Sequence, residues 1–171
     1  MSAADTKNHA SNRMLSFYIP ENTDLLAGIG EVALRHEHLN YVLRMTIKTL
    51  ANLSINEALD ATACAGSSEL RSRINKLARQ RLGEGEALLK TQALLERCKR
   101  ATEKRNDLIH SIWVKELDGD ASRKASAHTC NSLPSTTELH DLAIKISQLI
   151  EELNHVRLDG FLNEALLLKL K

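Results

Sequence analysis

The segment from Asn22 to Leu50 reads NTDLLAGIGEVALRHEHLNYVLRMTIKTL, and this segment decides the fold class. Its apolar residues recur at three- and four-residue steps, which is the period of one face of an α-helix. Asn22, Thr23 or Asp24 can cap the N-terminus of such a helix. The stripe comprises Leu26, Ile29, Ala33, His36, Asn40, Leu43, Ile47 and Leu50, and is widened by Leu25, Val32 and Leu39. We therefore expect a long amphipathic helix with one face buried in a helical core.

Two shorter helices are predicted after this segment. Ser54 and Glu57 have the spacing of a capping box and predict a short second helix that closes at Gly66. Ser67 or Ser68 caps a third helix that ends near position 83. A fourth, long helix is predicted from about Glu84 to about Trp113. Its apolar stripe consists of Leu88, Leu95, Cys98, Thr102, Ile109 and Ile112, flanked by Leu94, Ala101 and Leu108.

The helical pattern fails after Trp113. Residues 117–134 are rich in turn-forming types, and 114–117 and 121–125 can either pair as a small hairpin across Asp118-Gly119 or form a mobile loop. Ser135 and Glu138 form another capping box, which begins the last long helix. We predict an all-α, four- to five-helix up-down bundle over residues 21–171, preceded by a flexible N-terminal arm over residues 1–20.

The composition restricts the classes of protein to which the chain can belong. With 43% hydrophobic and 26% charged residues, it is typical of a globular domain, and a net charge of +1 gives no general attraction to nucleic acid. No apolar run is long enough to cross a bilayer. The three cysteines, Cys64, Cys98 and Cys130, have no metal-ligand spacing and predict reduced thiols in a cytoplasmic protein.

The segment Arg105-Asn106-Asp107-Leu108-Ile109-His110 lies near the end of the fourth predicted helix. Arg105 follows Cys98 by seven residues, so it is expected to face inward, where an arginine is costly unless an anion or a polar network compensates its charge. A guanidinium that reaches the surface, or a structural salt bridge, is the alternative. Asn106 lies four residues before His110 and shares its face of the helix.

This segment resembles the R-x4–6-H motif of the HEPN superfamily, with Asn106 in the place after the arginine that is often asparagine. The resemblance implies a helical bundle that acts as a homodimer and cleaves RNA without a metal or any other cofactor. It implies that His110 exchanges a proton with the ribose 2′-hydroxyl or the leaving 5′-oxygen, that Arg105 binds the scissile phosphate, and that Asn106 orients His110 or the phosphate. An antitoxin or another regulatory protein is a further expected partner.

Basic residues precede the motif on the same predicted helix. Arg97, Arg100 and Lys104 are candidates for RNA contacts, although such runs are often solvated helix faces. A second basic run occupies residues 71–81. Asp107 can either pair with Arg105 or repel phosphate.

The first helix contains the segment Arg35-His36-Glu37-His38. His36 and His38 are two residues apart and point to different faces of a helix, so they do not form a metal-chelating pair. We instead expect His36 and Asn40, on the apolar stripe, to be polar partners of a buried group such as Arg105 or Glu37.

Three functions remain open from the sequence. The first is a dimeric HEPN-type ribonuclease, for example a toxin or defence effector. The second is a non-catalytic HEPN-like module that binds RNA, a nucleotide or a protein. The third is a structural helical dimer, for which Arg105→Ala would lower the melting temperature by several degrees.

Overall fold

The computed structural model describes residues 15–116, 119–124 and 130–169, and these residues form a helical bundle with a small antiparallel sheet at one end. The helices are α1 (Thr23–Ala51), α2 (Ile55–Ala61), α3 (Ser67–Leu82), α4 (Glu86–His110), α5 (Thr136–Leu158) and α6 (Phe161–Leu168). The strands are β1 (Leu15–Phe17), β2 (Ile112–Glu116), β3 (Ala121–Lys124) and β4 (Cys130–Ser132). The predicted all-α bundle is confirmed, and the sheet is an addition to it.

The capping residues predicted from the sequence begin the helices. The Asn22 side chain accepts hydrogen bonds from the backbone at the start of α1, and Ser54 with Glu57 forms a complete capping box at α2. Ser135 forms the same arrangement with Glu138 at α5. One cap differs from the prediction, because Gly66 rather than a serine occupies the N-cap of α3.

Helix α1 lies at the centre of the bundle, where it packs along α5 and also contacts α2, α3 and α4. Its buried face includes Leu25, Val32, Leu39 and Leu43, whereas Leu26 is exposed. The buried stripe therefore passes through Leu25 rather than Leu26. The remaining core comes from α3, α4, α5 and α6, and its fully buried members include Leu70, Ile74, Leu88, Leu139, Ile146 and Leu162.

The four strands form one sheet in the order β1-β2-β3-β4, with every neighbouring pair antiparallel. The hairpin alternative for the segment after Trp113 is therefore the observed one, with Val114 opposite Ser122. Of the predicted arm over residues 1–20, positions 1–14 lie outside the described residues, and Leu15–Phe17 pairs with β2. The Phe17 side chain is 88% exposed, so Phe17 is held by the backbone pairing of β1 with β2 and not by burial of its ring.

Helix α4 is shorter than predicted, because it ends at His110 and not at Trp113. Ser111 has extended backbone angles and its hydroxyl donates to the Asp107 carbonyl. The Trp113 indole N–H donates to the Leu108 carbonyl at 3.3 Å. These side chains satisfy carbonyls of the last turn, and β-branched Ile112 and Val114 continue the chain as a strand. The sheet is thereby joined directly to the end of α4 that carries the motif.

Most buried polar side chains of the bundle are satisfied within their own helix. The hydroxyls of Thr46, Thr91 and Thr102 donate to the carbonyl four residues earlier, at 2.8–2.9 Å. His36 and Asn40 have no such local partner, yet both are buried on α1. His36 is paired with Thr102 of α4, and Asn40 is paired with Ser67 of α3 and with the exposed Glu37 of α1, so these contacts mark the region of the motif.

Candidate functional site

Arg105 faces the interior, as its place on the stripe predicted. Its side chain is 18% exposed, and it is flanked on α4 by buried Cys98 and Thr102. Nη1 donates to Asn106 Oδ1 at 3.2 Å, and Nη2 lies 3.9 Å from Glu37 Oε1 on α1. Nε is buried and has no hydrogen-bond partner among the described residues. The guanidinium is therefore mostly removed from water, with one neutral acceptor and one distant carboxylate as its partners.

His36 lies beside Arg105 and is only 2% exposed. Its Nε2 is 3.2 Å from Thr102 Oγ1, which also accepts a hydrogen bond from Arg71 Nη1 at 3.2 Å. Burial lowers the pKa of His36 below 6.5, and Arg105 and Arg71 lower it further, while Glu37 opposes them. His36 is thus neutral near pH 7, and it does not repel an anion or attract one.

Glu37 connects Arg105 to two other helices. Its carboxylate accepts from Asn40 Nδ2 at 3.3 Å, and Asn40 Oδ1 accepts from the Ser67 hydroxyl at 2.6 Å. A line of polar contacts consequently runs from α3 through α1 to α4. We call the set His36, Glu37, Asn40, Ser67, Arg71, Thr102, Arg105 and Asn106 the polar cluster.

The expectation that His36 and Asn40 are polar partners of a buried group is met only in part. Glu37, one of the two expected partners, contacts both residues but is 62% exposed, and no hydrogen bond joins either residue to Arg105 among the described residues. Thr102 and Arg71 were not anticipated as members. The sequence indicates Thr102 only as a member of the apolar stripe of α4 and Arg71 only as part of a basic run. Neither pattern shows which helices pack against each other.

His110 is the last residue of α4, and it is exposed. It follows Arg105 by five residues, so the two side chains leave the helix about 140° apart. No hydrogen bond joins His110 to Arg105 or Asn106 in the described part of the chain. Asn106 is also exposed and leaves α4 about 40° from His110. One protomer therefore presents Asn106 and His110 on a single flank, while Arg105 points inward beside them.

The predicted RNA contacts lie on the other flank of α4. Arg97, Arg100 and Lys104 are exposed and line a groove of about 240 Å³ between α4 and α5, together with Lys145. Arg97 also pairs with Glu152 of α5 at 2.7 Å. The structure brings these cations together but does not bring them to His110.

Asp107 forms its salt bridge with a residue of the sheet, Arg123, and not with Arg105. Its Oδ2 is 3.1 Å from Nη1 of Arg123 on β3, and Arg123 also donates to the Ser132 carbonyl. Both residues line a cavity of about 320 Å³ between α4, β3 and α5. The pairing directs the Asp107 charge away from the guanidinium of Arg105.

Within residues 15–116, 119–124 and 130–169, no three His, Cys, Asp or Glu side chains are grouped so that they could hold a metal ion. None of the helices in these ranges has both the length and the apolar character needed to cross a membrane. Comparison with protein-family models, with curated proteins and with solved structures gives no match to this chain.

Proposed function

We propose that this chain is a HEPN-like, metal-independent endoribonuclease in which Arg105 binds the scissile phosphate. The proposal rests on one observation, which is that the Arg105 guanidinium is mostly buried and only partly hydrogen-bonded. It is 18% exposed, its Nε has no partner in the described residues, and its nearest carboxylate is 3.9 Å away. A planar guanidinium with unfilled donors in a poorly solvated place favours a tetrahedral oxyanion with several acceptor oxygens.

His110 supplies the proton transfer in this proposal. A ribose 2′-hydroxyl attacks the adjacent phosphorus, its proton passes to a base, and the 5′-oxygen leaves with a proton from an acid. The products are a 2′,3′-cyclic phosphate and a free 5′-hydroxyl. An exposed imidazole suits both proton transfers, Arg105 stabilises the charge that develops on the phosphate, and Asn106 orients the phosphate or the imidazole.

The divergence of Arg105 and His110 supports a site built from two copies of the chain. A groove of about 330 Å³ lies at the motif end of α4, and Phe17, Ile19, Leu26, Ile109 and Trp113 are among its lining residues. Phe17 and Ile19 are strongly exposed large apolar side chains of that surface. We propose that a second copy covers this groove and completes the site with its own motif. Arg97, Arg100 and Lys104 would then contact RNA beyond the scissile phosphate.

The test is RNA cleavage by the purified protein in excess EDTA. We expect cleavage by the wild type and loss of at least a hundredfold in rate with His110→Ala, which is the usual contribution of a general acid or base. His140→Ala is the matched control, since His140 is another exposed helical histidine but lies on α5. Cleavage that persists in His110→Ala, or RNA binding without any cleavage, would overturn the proposal.

A further inference from the structure

The Glu37 carboxylate is placed between two groups of the polar cluster. Its Oε1 lies 3.9 Å from Arg105 Nη2 and 3.7 Å from His36 Nδ1. The Glu37 side chain is 62% exposed, whereas that of Arg105 is 18% exposed. The carboxylate can therefore rotate into water, whereas the guanidinium is mostly removed from water.

The contact between Glu37 and Arg105 is long compared with the close arginine–carboxylate pairs of the bundle, and equals the distance between Lys99 and Glu103. Arg35 approaches Glu31, and Arg97 approaches Glu152, to 2.7 Å. A charge-assisted hydrogen bond has about that length, so 3.9 Å leaves the donors of Arg105 unfilled by Glu37. Glu37 supplies negative charge to Arg105 without occupying its hydrogen-bonding sites.

The position of Glu37 is nevertheless maintained from two sides. Asn40, one helical turn later, donates to the carboxylate at 3.3 Å, and Ser67 on α3 fixes Asn40 through a 2.6 Å hydrogen bond. Neutral His36 on the other side neither attracts nor neutralises Glu37 strongly. The carboxylate is thus held near Arg105 chiefly by uncharged partners.

We propose that Glu37 is a built-in competitor for phosphate at Arg105 and sets how tightly the site holds an anion. The inference rests on the proposed function, because it assigns the regulation of the same arginine. A phosphate oxygen that fills the donors of Arg105 displaces the Glu37 carboxylate into water. The displacement costs every anion the same free energy at Arg105, so free phosphate is held weakly, whereas an RNA strand that has additional contacts can still bind.

The experiment measures binding of inorganic phosphate to the intact chain by NMR, using the Arg105 Nε–H signal, which is assigned by its loss in Arg105→Met. Glu37→Gln removes a unit charge about 4 Å from the guanidinium in a solvent-exposed setting. The lost attraction corresponds to about a fivefold change in the dissociation constant of phosphate at Arg105. We therefore expect Glu37→Gln to tighten phosphate binding at Arg105 about fivefold. In an Arg105→Met background, Glu37→Gln should leave phosphate affinity unchanged, as judged from the other shifted amide signals.

Glu103→Gln is the matched control, because it removes the same charge from an exposed position on α4 that pairs with Lys99. It should change phosphate affinity less than twofold. Equal effects of the two variants, weaker binding by Glu37→Gln, or no saturable phosphate shift in either protein would overturn the inference. The protein could instead bind phosphate in the expected pattern and yet fail to cleave RNA. That combination would overturn the proposed ribonuclease function and leave the inference about Glu37 standing.

Discussion

Arg105 combines burial with incomplete pairing, and this combination distinguishes it from the structural arginines of the same bundle. Arg44 is the clearest contrast. Its guanidinium donates to the Thr62 and Ala65 carbonyls and to the Thr62 hydroxyl. Arg44 thus satisfies backbone groups where α2 leads into α3, whereas Arg105 satisfies little besides the neighbouring Asn106 amide.

We therefore expect Arg105→Met to leave the melting temperature unchanged or to raise it. Methionine keeps the apolar stem and removes a costly buried donor. Arg44→Met should lower the free energy of unfolding by roughly 1–3 kcal/mol, because it leaves the carbonyls of Thr62 and Ala65 without their hydrogen-bond donor. Thermal unfolding followed by circular dichroism measures both. A fall of several degrees in Arg105→Met would support the purely structural role for the motif.

His36 should make stability depend on pH in a defined direction. Its pKa in the folded chain lies below the ordinary 6.5 because of burial, Arg105 and Arg71, with Glu37 opposing. The unfolded chain consequently takes up this proton first, and stability is lost as the pH falls from about 6.5 toward the lower folded pKa. The loss is at most about 1.4 kcal/mol per pH unit for one proton.

His36→Gln removes this dependence while keeping a side chain that can hydrogen-bond to Thr102. Urea unfolding between pH 7.5 and pH 5 should therefore show a smaller decline for His36→Gln than for the wild type. His140→Gln, which changes an exposed histidine, should retain the wild-type decline. An identical decline in the free energy of unfolding for His36→Gln and the wild type would contradict the lowered pKa of His36 in the folded chain.

The sequence was informative about Arg105 and less so about its neighbours. The seven-residue step from Cys98 is a local property of one helix, so the inward direction of Arg105 could be predicted. The approach of Thr102 and Arg71 to His36 depends on how α1, α3 and α4 pack. No periodicity within a single helix contains that information.

At the scale of the elements, α1 and α5 approach closely where α1 has a glycine. A Cβ added at Gly28 would lie 2.9 Å from Leu139 Cδ1 and 3.2 Å from Leu139 Cβ, whereas one added at Gly30 meets nothing within 4 Å. Leu139 is fully buried and cannot move without disturbing the core.

These two glycines on one helix form a matched pair. Gly30→Ala should raise the free energy of unfolding by about 0.5–1 kcal/mol through helix propensity. Gly28→Ala should lower it by about 1 kcal/mol or more, because overpacking outweighs the same propensity gain. Urea denaturation of both variants measures the difference. An equal stabilisation by the two substitutions would show that α1 and α5 are farther apart here.

The helices could be predicted more completely than the sheet. Capping boxes at Ser54 and Ser135 are local and were recognised in the sequence. The β2–β3 hairpin had the Asp118-Gly119 turn signal. Strands β1 and β4 have only three residues each, too few for an alternating pattern to be distinctive, and β1 pairs with residues about a hundred positions away. The end of α4 was misplaced because Ile112 and Trp113 continue its apolar stripe.

At the scale of the whole molecule, α4 separates two surfaces. Asn106 and His110 lie on one flank, and the groove with Arg100 and Lys104 opens on the other, toward α5. The apolar groove beside Phe17 adjoins the motif end. A dimer that covers this groove would place two motifs near one another and leave the basic grooves outside.

Phe17→Asp should accordingly convert a dimer to a monomer, since a charge on the exposed apolar surface opposes its burial. Leu34→Asp is the control, because Leu34 is a comparably exposed large apolar residue of α1 that does not line the groove. Sedimentation equilibrium measures the mass of each variant. A wild-type monomer, or a dimer that survives in Phe17→Asp, would contradict the proposed interface.

The most direct measurement of the central claim compares a random-sequence RNA with its fully 2′-O-methylated counterpart, each incubated with the wild-type protein in EDTA. If Arg105 and His110 cleave RNA through attack by the 2′-hydroxyl, unmodified RNA yields fragments that mass spectrometry identifies as 2′,3′-cyclic phosphates. The methylated RNA should remain intact. Cleavage of the methylated strand, or the absence of cyclic-phosphate fragments from the unmodified one, would contradict the account.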